Sequence, residues 1–313
     1  MNVMKYKKLF LLISVLAMVF SIVIWSVKGL NYGIDFTGGT DIRFPLAEKV
    51  TSTQVMAALD TEELRNLDLE VGPPQPYNYV DPQTGGQKYG VLIHTRFLNQ
   101  QEEKLVITAL EKAFGEIDEE SGLQVNQVEP VIGKELLFNA FYAVVISWVL
   151  ILIYIAFRFE FKSGVAGLLA LIHDVLWIIG VFALLGKEVN LNLVAAVLTI
   201  IGYSINDTIV IFDRIRENLR FKKRTDSYEQ IANMAILQSM RRSLNTSITT
   251  VLAILVLYLI GSPTIKDFMF ALLIGLTVGT YSSLFMATPL WALWKTAEEK
   301  KPRSAKVATA TGK

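Results

Sequence analysis

Apolar residues along this chain gather into long runs rather than short alternations. Leu9–Val27 carries no charge, and five more apolar runs follow at Phe138–Phe157, Gly164–Leu185, Val189–Phe212, Leu244–Ile260 and Phe268–Trp294. A helix needs about 20 mostly apolar residues to cross a hydrocarbon core roughly 30 Å thick. The pattern therefore predicts an α-helical membrane protein with six transmembrane helices. Lys5, Lys7 and Lys8 ahead of the first run would also suit a signal peptide. That run is long for one, and no A-x-A-like cleavage site follows, so it is read as a retained span.

The segment between the first two runs has a different texture. Thr40–Phe44 alternates as a short strand, Thr51–Leu59 has a cap and helical spacing, and Leu67–Val71 reads as strand. Pro73–Lys88 is dense in turn formers and is expected to be a loop. Tyr89–Thr95 is a β-rich run, and Asn99 caps a helix with Leu105, Ile107, Leu110 and Phe114 on its apolar side. Leu123–Val128 closes as a strand. This βαββαβ order predicts one α+β ferredoxin-like domain between helices 1 and 2. The expected division is 1–29 for the N-terminus and first span and 30–137 for the folded domain. A five-helix bundle follows at 138–294, with an amphipathic segment at 213–241, and then a basic tail at 295–313.

Charge orients these elements. With the N-terminus inside, segments 1–8, 158–163, 213–243 and 295–313 hold 3, 2, 8 and 6 of the Lys and Arg residues, 19 of the chain's 30. The two short outer turns hold only Lys187 and Lys266. The positive-inside rule then predicts both termini in the cytoplasm and the folded domain extracytoplasmic. Phe221–Arg241, amphipathic through Ile231, Met234, Ala235, Leu237 and Gln238, is expected along the inner surface, against membrane lipids. A hydrophobic share of 52% and a mean hydropathy of +0.41 agree with this class. A net charge of +1 points away from nucleic acid, and the absence of cysteine rules out thiolate sites. With two histidines, no phosphate loop and no nucleophile–base pair, neither an enzyme, a metal centre nor a cofactor is expected.

Ionisable side chains inside the spans are the candidate chemistry. Each costs at least about 2.5–3.5 kcal/mol at a helix centre, so each calls for a reason. Asp207 lies roughly 8 Å from the inner end of its span, with Tyr203, Ser204 and Ile211 on its face. Such a carboxylate can load and unload a proton if desolvation and a nearby cation balance. Arg242, on a stripe with Thr246, Thr249 and Thr250, either faces that carboxylate or anchors its helix at the headgroups; Arg241 lies off the stripe and reads as an anchor. His173–Asp174, near mid-span, could be a proton relay or a pair holding helices together. Asp213, Arg214, Arg216 and Glu217 read as helix-surface ion pairs at the membrane edge.

Five ordered blocks carry a resemblance. They are Tyr32-Gly33-Ile34-Asp35-Phe36-Thr37-Gly38-Gly39, His173-Asp174-Val175, Gly202 through Val210, Phe212 through Asn218, and Arg242-Ser243-Leu244-Asn245-Thr246-Ser247. Together they resemble the smaller, SecF-type member of the SecD/SecF family of protein-export membrane proteins, in the resistance–nodulation–division superfamily. The resemblance implies an accessory subunit of the Sec machinery, coupling a proton or sodium gradient to late preprotein translocation and release. It implies SecD as a heterodimer partner, and SecYEG, SecA, YajC and an unfolded preprotein as further partners, at the bacterial inner (plasma) membrane. It makes Asp207 the ion-carrying carboxylate and Arg242 its basic counterpart, with His173, Asp174, Tyr203, Ser204, Asn206 and Thr246 in support and a second carboxylate in SecD. The Arg241-Arg242 pair departs from a motif with one cation. Asp35, Gly38 and Gly39 are expected to form a structural junction, with Asp35 bonding its own turn. The alternatives are a half-transporter exporting a small molecule or lipid, and a scaffold that conducts no ions.

Overall fold

A computed structural model describes residues 2–80, 86–115 and 123–299; the end of the predicted basic tail lies outside them. A short 3-10 turn, Val3–Tyr6, leads into α1 (Lys7–Lys28). The folded unit contains β1 (Asn31–Tyr32), α2 (Ile34–Thr37), β2 (Gly39–Leu46), α3 (Ser52–Leu59), α4 (Glu62–Arg65), β3 (Gln75–Val80), β4 (Gln87–Thr95), α5 (Gln100–Phe114) and β5 (Gln124–Val128). The bundle continues with α6 (Pro130–Arg158), α7 (Phe161–Leu185), β6 (Glu188–Val189), α8 (Leu191–Arg220) and α9 (Tyr228–Ile260). Its last span joins α10 (Pro263–Ser282), a π-helical turn (Ser283–Ala287) and α11 (Thr288–Glu299). Among the described residues, six helices are long and apolar enough to cross a membrane, as the hydrophobic runs predict.

The four-stranded sheet runs β3-β4-β2-β5 with every neighbour antiparallel. Alternation gives it two different faces. Ile42, Phe44, Leu46, Val91 and Ile93 point to one side and bury against Val55 and Leu59 of α3, Leu64 of α4, and Val106 and Leu110 of α5. Thr51 and Asn99 both close capping boxes, with Gln54 and Glu102, which start α3 and α5 where the sequence places them. The other face carries Asp41, Arg43 and His94, and it is turned to the bundle through Glu188 and Thr264.

Two sequence expectations in this unit are corrected. Leu67–Val71 is not a strand: Asp68 and Glu70 both take φ 46°, in the left-handed region, which breaks an extended run. The second strand lies instead at Gln75–Val80, inside the segment expected to be a loop. Pro76 obscures it, but β3 is an edge strand, where a residue without an N–H is tolerated.

In the bundle α7 is the hub, packed by α1, α6 and α10, while α8 packs on α9 and α10. Helix α6 starts at Pro130, ahead of the predicted Phe138, because Pro at its first turn is compatible with a helix start. Phe221–Arg241 is also corrected. From Tyr228 onward it is the first part of one unbroken helix with the fifth span, started by a Ser227–Gln230 capping box. Its Ile231, Ala232, Ala235 and Ile236 are buried against Ile215, Trp291 and Ala292, so these side chains meet protein rather than lipid, while Met234 and Leu237 stay exposed.

Candidate functional site

Helix α8 places Asp207 in the bundle by simple periodicity: Ser204, Thr208 and Ile211 share its buried side. The carboxylate is buried and lines a small polar cavity with Tyr203, Ser204, Asn206, Thr246, Ser247, Thr250, Gly279 and Thr280. Arg242 lies near enough for its charge to act on Asp207, yet no ion pair within 4.0 Å joins them among the described residues. The buried Ser243 hydroxyl faces the same carboxylate without closing a hydrogen bond. Arg241 and Arg242 are both exposed, as are Tyr203, Asn206, Asn245, Thr246 and Thr249.

The second intramembrane carboxylate behaves differently. Asp174, fully buried on α7, accepts hydrogen bonds from Ser204 of α8 (2.7 Å), from Ser282 at the end of α10 (2.9 Å) and from His173 Nδ1 (3.1 Å). It ties three helices together at one point. Thr208 Oγ1 and Ser283 Oγ are 2.8 Å apart, and Ser283 also donates to the Ser204 carbonyl (3.1 Å). Ser283 opens the π-helical turn, and the Thr288 hydroxyl donates to the Ser283 carbonyl at 3.1 Å. Asp207 and Asp174 thus flank one polar seam through Ser204. Ser282, Ser283 and Thr280 join this seam without having stood out in the sequence; a Ser-Ser pair inside an apolar run was the available signal.

Of the junction residues, Asp35 reaches the start of α8, while Gly38 and Gly39 lie against Pro130 of α6 and Thr95 of β4. Contrary to expectation, Asp35 does not bond its own turn; its Oδ2 accepts from the Leu191 amide at 2.8 Å. Asn190 accepts from Leu193 at 3.2 Å, so two side chains satisfy the first turn of α8. Gly38 has φ 75° and its added Cβ would overlap the Pro130 backbone; a Cβ on Gly39, φ 132°, would lie 2.5 Å from the Thr95 carbonyl oxygen. The paired glycines let the sheet and α6 approach at backbone distance. Strands β1 and β6 pair in parallel, Asn31 with Glu188 and Tyr32 with Val189, which fixes this junction to the α7–α8 connection. At the other end of the bundle Arg214 pairs with Glu217 (2.5 Å), Asp213 lies 3.9 Å from Arg158, and Arg216 donates to the Arg158 carbonyl (3.3 Å).

One cluster outside the spans was not legible from the sequence. Asp41 of β2 and His94 of β4 are directly paired across the sheet, and His94 Nδ1 is 2.5 Å from Asp41 Oδ1. His94 Nε2 lies 3.7 Å from Glu188 Oε2, on β6. Burial by itself would lower the His94 pKa, but the Asp41 hydrogen bond and the charges of Asp41 and Glu188 outweigh burial and the opposing Arg43, and raise it. Burial, then the Asp41 charge, raises the Glu188 pKa. These are the three metal-ligand-type side chains that come within 4.8 Å of one another among the described residues. Arg43, beside them, donates to Thr264 Oγ1 at 2.7 Å.

Six candidate spans, a folded α+β unit after the first, and a buried ionisable seam define a multi-pass membrane protein with polar machinery in its core. A family model for the protein export membrane protein SecD/SecF C-terminal region matches residues 108–297, and the SecD/SecF GG motif matches residues 23–47. The chain belongs to the SecD/SecF protein-export family. It is 36% identical to the protein translocase subunit SecF of Alicyclobacillus acidocaldarius, over 96% of this chain and 94% of that one. To the protein translocase subunit SecDF of Bacillus subtilis it is 37% identical, over 94% of this chain but 38% of the relative. Its fold is similar to the crystal structure of SecDF, a translocon-associated membrane protein, from Thermus thermophilus. That similarity has a TM-score of 0.81 and 32% identity, covering 94% of this chain and 38% of that one.

Proposed function

We propose that this chain is an accessory subunit of the Sec protein translocase that couples ion movement, of protons or sodium, to late preprotein translocation and release. The observation that carries the coupling is Asp207: a buried carboxylate in a polar cavity, within reach of the Arg242 charge and next to the Asp174 seam. A carboxylate there can bind a cation only if the gain offsets its desolvation, which makes occupancy sensitive to the groups around it. The Arg242 side chain, not locked in an ion pair with Asp207, can strengthen or relax its effect as helices α8 and α9 shift. Preprotein release from membranes bearing Asp207→Asn, measured with an imposed gradient, tests this. Loss of the gradient-dependent part of release is expected, and wild-type gradient dependence would overturn ion coupling.

A second chain completes the reading. Tyr203, Asn206, Asn245 and Thr246 leave polar groups on the outside of the bundle, where hydrocarbon offers no partners. In relatives named SecDF this chain matches about two fifths of the length, so the remaining part of such a protein supplies the natural cover. SecD in a heterodimer is that cover here, with SecYEG, SecA, YajC and an unfolded preprotein as the wider assembly. The strand order of the folded unit supports a split βαβ, ferredoxin-like domain. The Lys and Arg distribution supports a position for it outside the bacterial inner membrane, with both termini in the cytoplasm. The small-molecule or lipid half-transporter is not favoured, because relatives matched over nearly their whole length are translocase subunits.

A further inference from the structure

We propose that Asp41, His94 and Glu188 form a second proton-binding site, outside the spans, where the sheet of the folded unit meets the α7–α8 connection. Three pieces of geometry carry it. First, the site is built from both bodies: Asp41 and His94 belong to the sheet, while Glu188 belongs to β6 at the head of α8. Second, the space for Glu188 is held open by Gly33. A Cβ at that position would overlap the Glu188 carboxylate where it now lies, so a larger residue there would push the acidic side chain out of its present place beside His94. Third, the two contacts of the imidazole are unequal. Nδ1 is at 2.5 Å from Asp41, a full hydrogen bond, while Nε2 stands 3.7 Å from Glu188, beyond hydrogen-bond range.

That asymmetry assigns the proton. Nδ1–H donates to Asp41 whether His94 is neutral or charged. The proton that comes and goes is the one on Nε2, shared towards Glu188. With Nε2 bare, Asp41, Glu188 and Arg43 leave one uncompensated negative charge in a largely buried joint; adding the proton makes the group neutral and turns the Glu188 contact into a charge-assisted hydrogen bond. The groups facing His94 are Asp41 and Arg43 from β2 and Glu188 from β6, with Asn190 donating to Glu188 at 3.2 Å. A divalent cation is a poorer match, because Nδ1 is already engaged by Asp41 and the Arg43 cation sits alongside. Protonation draws Glu188 towards the sheet, and Glu188 is two residues before Asn190, the cap of α8. The site is separate from Asp207 and its occupancy does not depend on export.

The chain holds two histidines, His94 and His173, so ring-labelled histidine in the full-length protein in lipid nanodiscs gives two assignable NMR titrations, with His94→Gln as the assignment control. Wild-type His94 is expected to titrate above the ordinary value of about 6.5. Glu188→Gln and Asp41→Asn are each expected to lower its midpoint by about 1 pH unit or more. A wild-type midpoint at or below about 6.5, or a midpoint unmoved by Glu188→Gln, would overturn the proposal. So would stoichiometric zinc binding that abolishes the titration, since the ligand would then be a metal ion. The readout involves neither Asp207 nor preprotein, so a failed export assay leaves it intact.

Discussion

The Asp35 carboxylate accepts a hydrogen bond from the Leu191 amide at 2.8 Å, joining the segment after the first span to the first turn of α8, 156 residues away. An acidic group at a helix N-terminus satisfies an orphan N–H and complements the helix dipole. Asp35→Ala is therefore expected to destabilise the chain by about 1 kcal/mol, seen as a lower melting temperature in detergent. Asp35→Asn keeps an acceptor and loses less. Equal losses for the two variants would show that the hydrogen bond is not what the junction uses.

Gly38→Ala is expected to be far worse than Gly29→Ala. Both positions have positive φ, 75° and 72°, but an added Cβ at Gly38 meets the Pro130 backbone while at Gly29 it meets nothing within 4 Å. Backbone cannot move aside as a side chain can. Protease resistance of the membrane-inserted protein separates the two, with Gly38→Ala degraded and Gly29→Ala retained at a cost of about 1–3 kcal/mol.

Asp174 links Ser204, Ser282 and His173, so its removal strands the buried Ser204 hydroxyl and His173 ring, while Ser282 keeps its bond to the Gly279 carbonyl. Asp174→Ala is expected to cost about 3 kcal/mol or more, and Ser282→Ala about 1 kcal/mol. Chemical denaturation in mixed micelles measures both. If Asp174→Asn instead leaves stability unchanged and abolishes gradient-dependent release, Asp174 is part of the ion path rather than a tie between helices.

Arg242→Ala is expected to weaken gradient-dependent release and Arg241→Ala to leave it near wild type. Of the two, Arg242 is the one whose charge acts on Asp207. A loss in the double variant much greater than in Arg242→Ala would mean that Arg241 substitutes for it.

The joint at His94 makes stability depend on pH with a definite sign. The folded His94 pKa is raised, so its contribution is full below the unfolded value of about 6.5 and is lost as pH rises through the folded value. Glu188, also raised, acts in the same direction: its ionisation within the fold is disfavoured, so stability falls as pH rises from the ordinary carboxylate range through its raised value. Melting temperatures recorded across this range should fall with increasing pH, and the fall should be smaller in Glu188→Gln. A flat profile in the wild type, or one that rises with pH, would contradict the raised pKa of both groups.

By itself the sequence determined the features that depend on local composition. Six apolar runs of sufficient length appear as six spans, because crossing a membrane is a property of one continuous segment. The capped helices at Thr51 and Asn99 and the strands around Phe44 and Ile93 were legible for the same reason. So was Asp207, since a carboxylate in an apolar helix stands out alone. Tertiary structure decided what depends on meeting a distant partner. The edge strand at Gln75–Val80 exists because β4 supplies its hydrogen bonds. Ile231 and Ala235 face protein rather than lipid because Ile215 and Trp291 are there to receive them. Asp35 finds Leu191, Asp174 finds Ser282, and His94 finds Glu188 only after strands and helices have taken their register. No periodicity encodes those encounters: each joins residues whose separation along the chain is closed by packing between different elements.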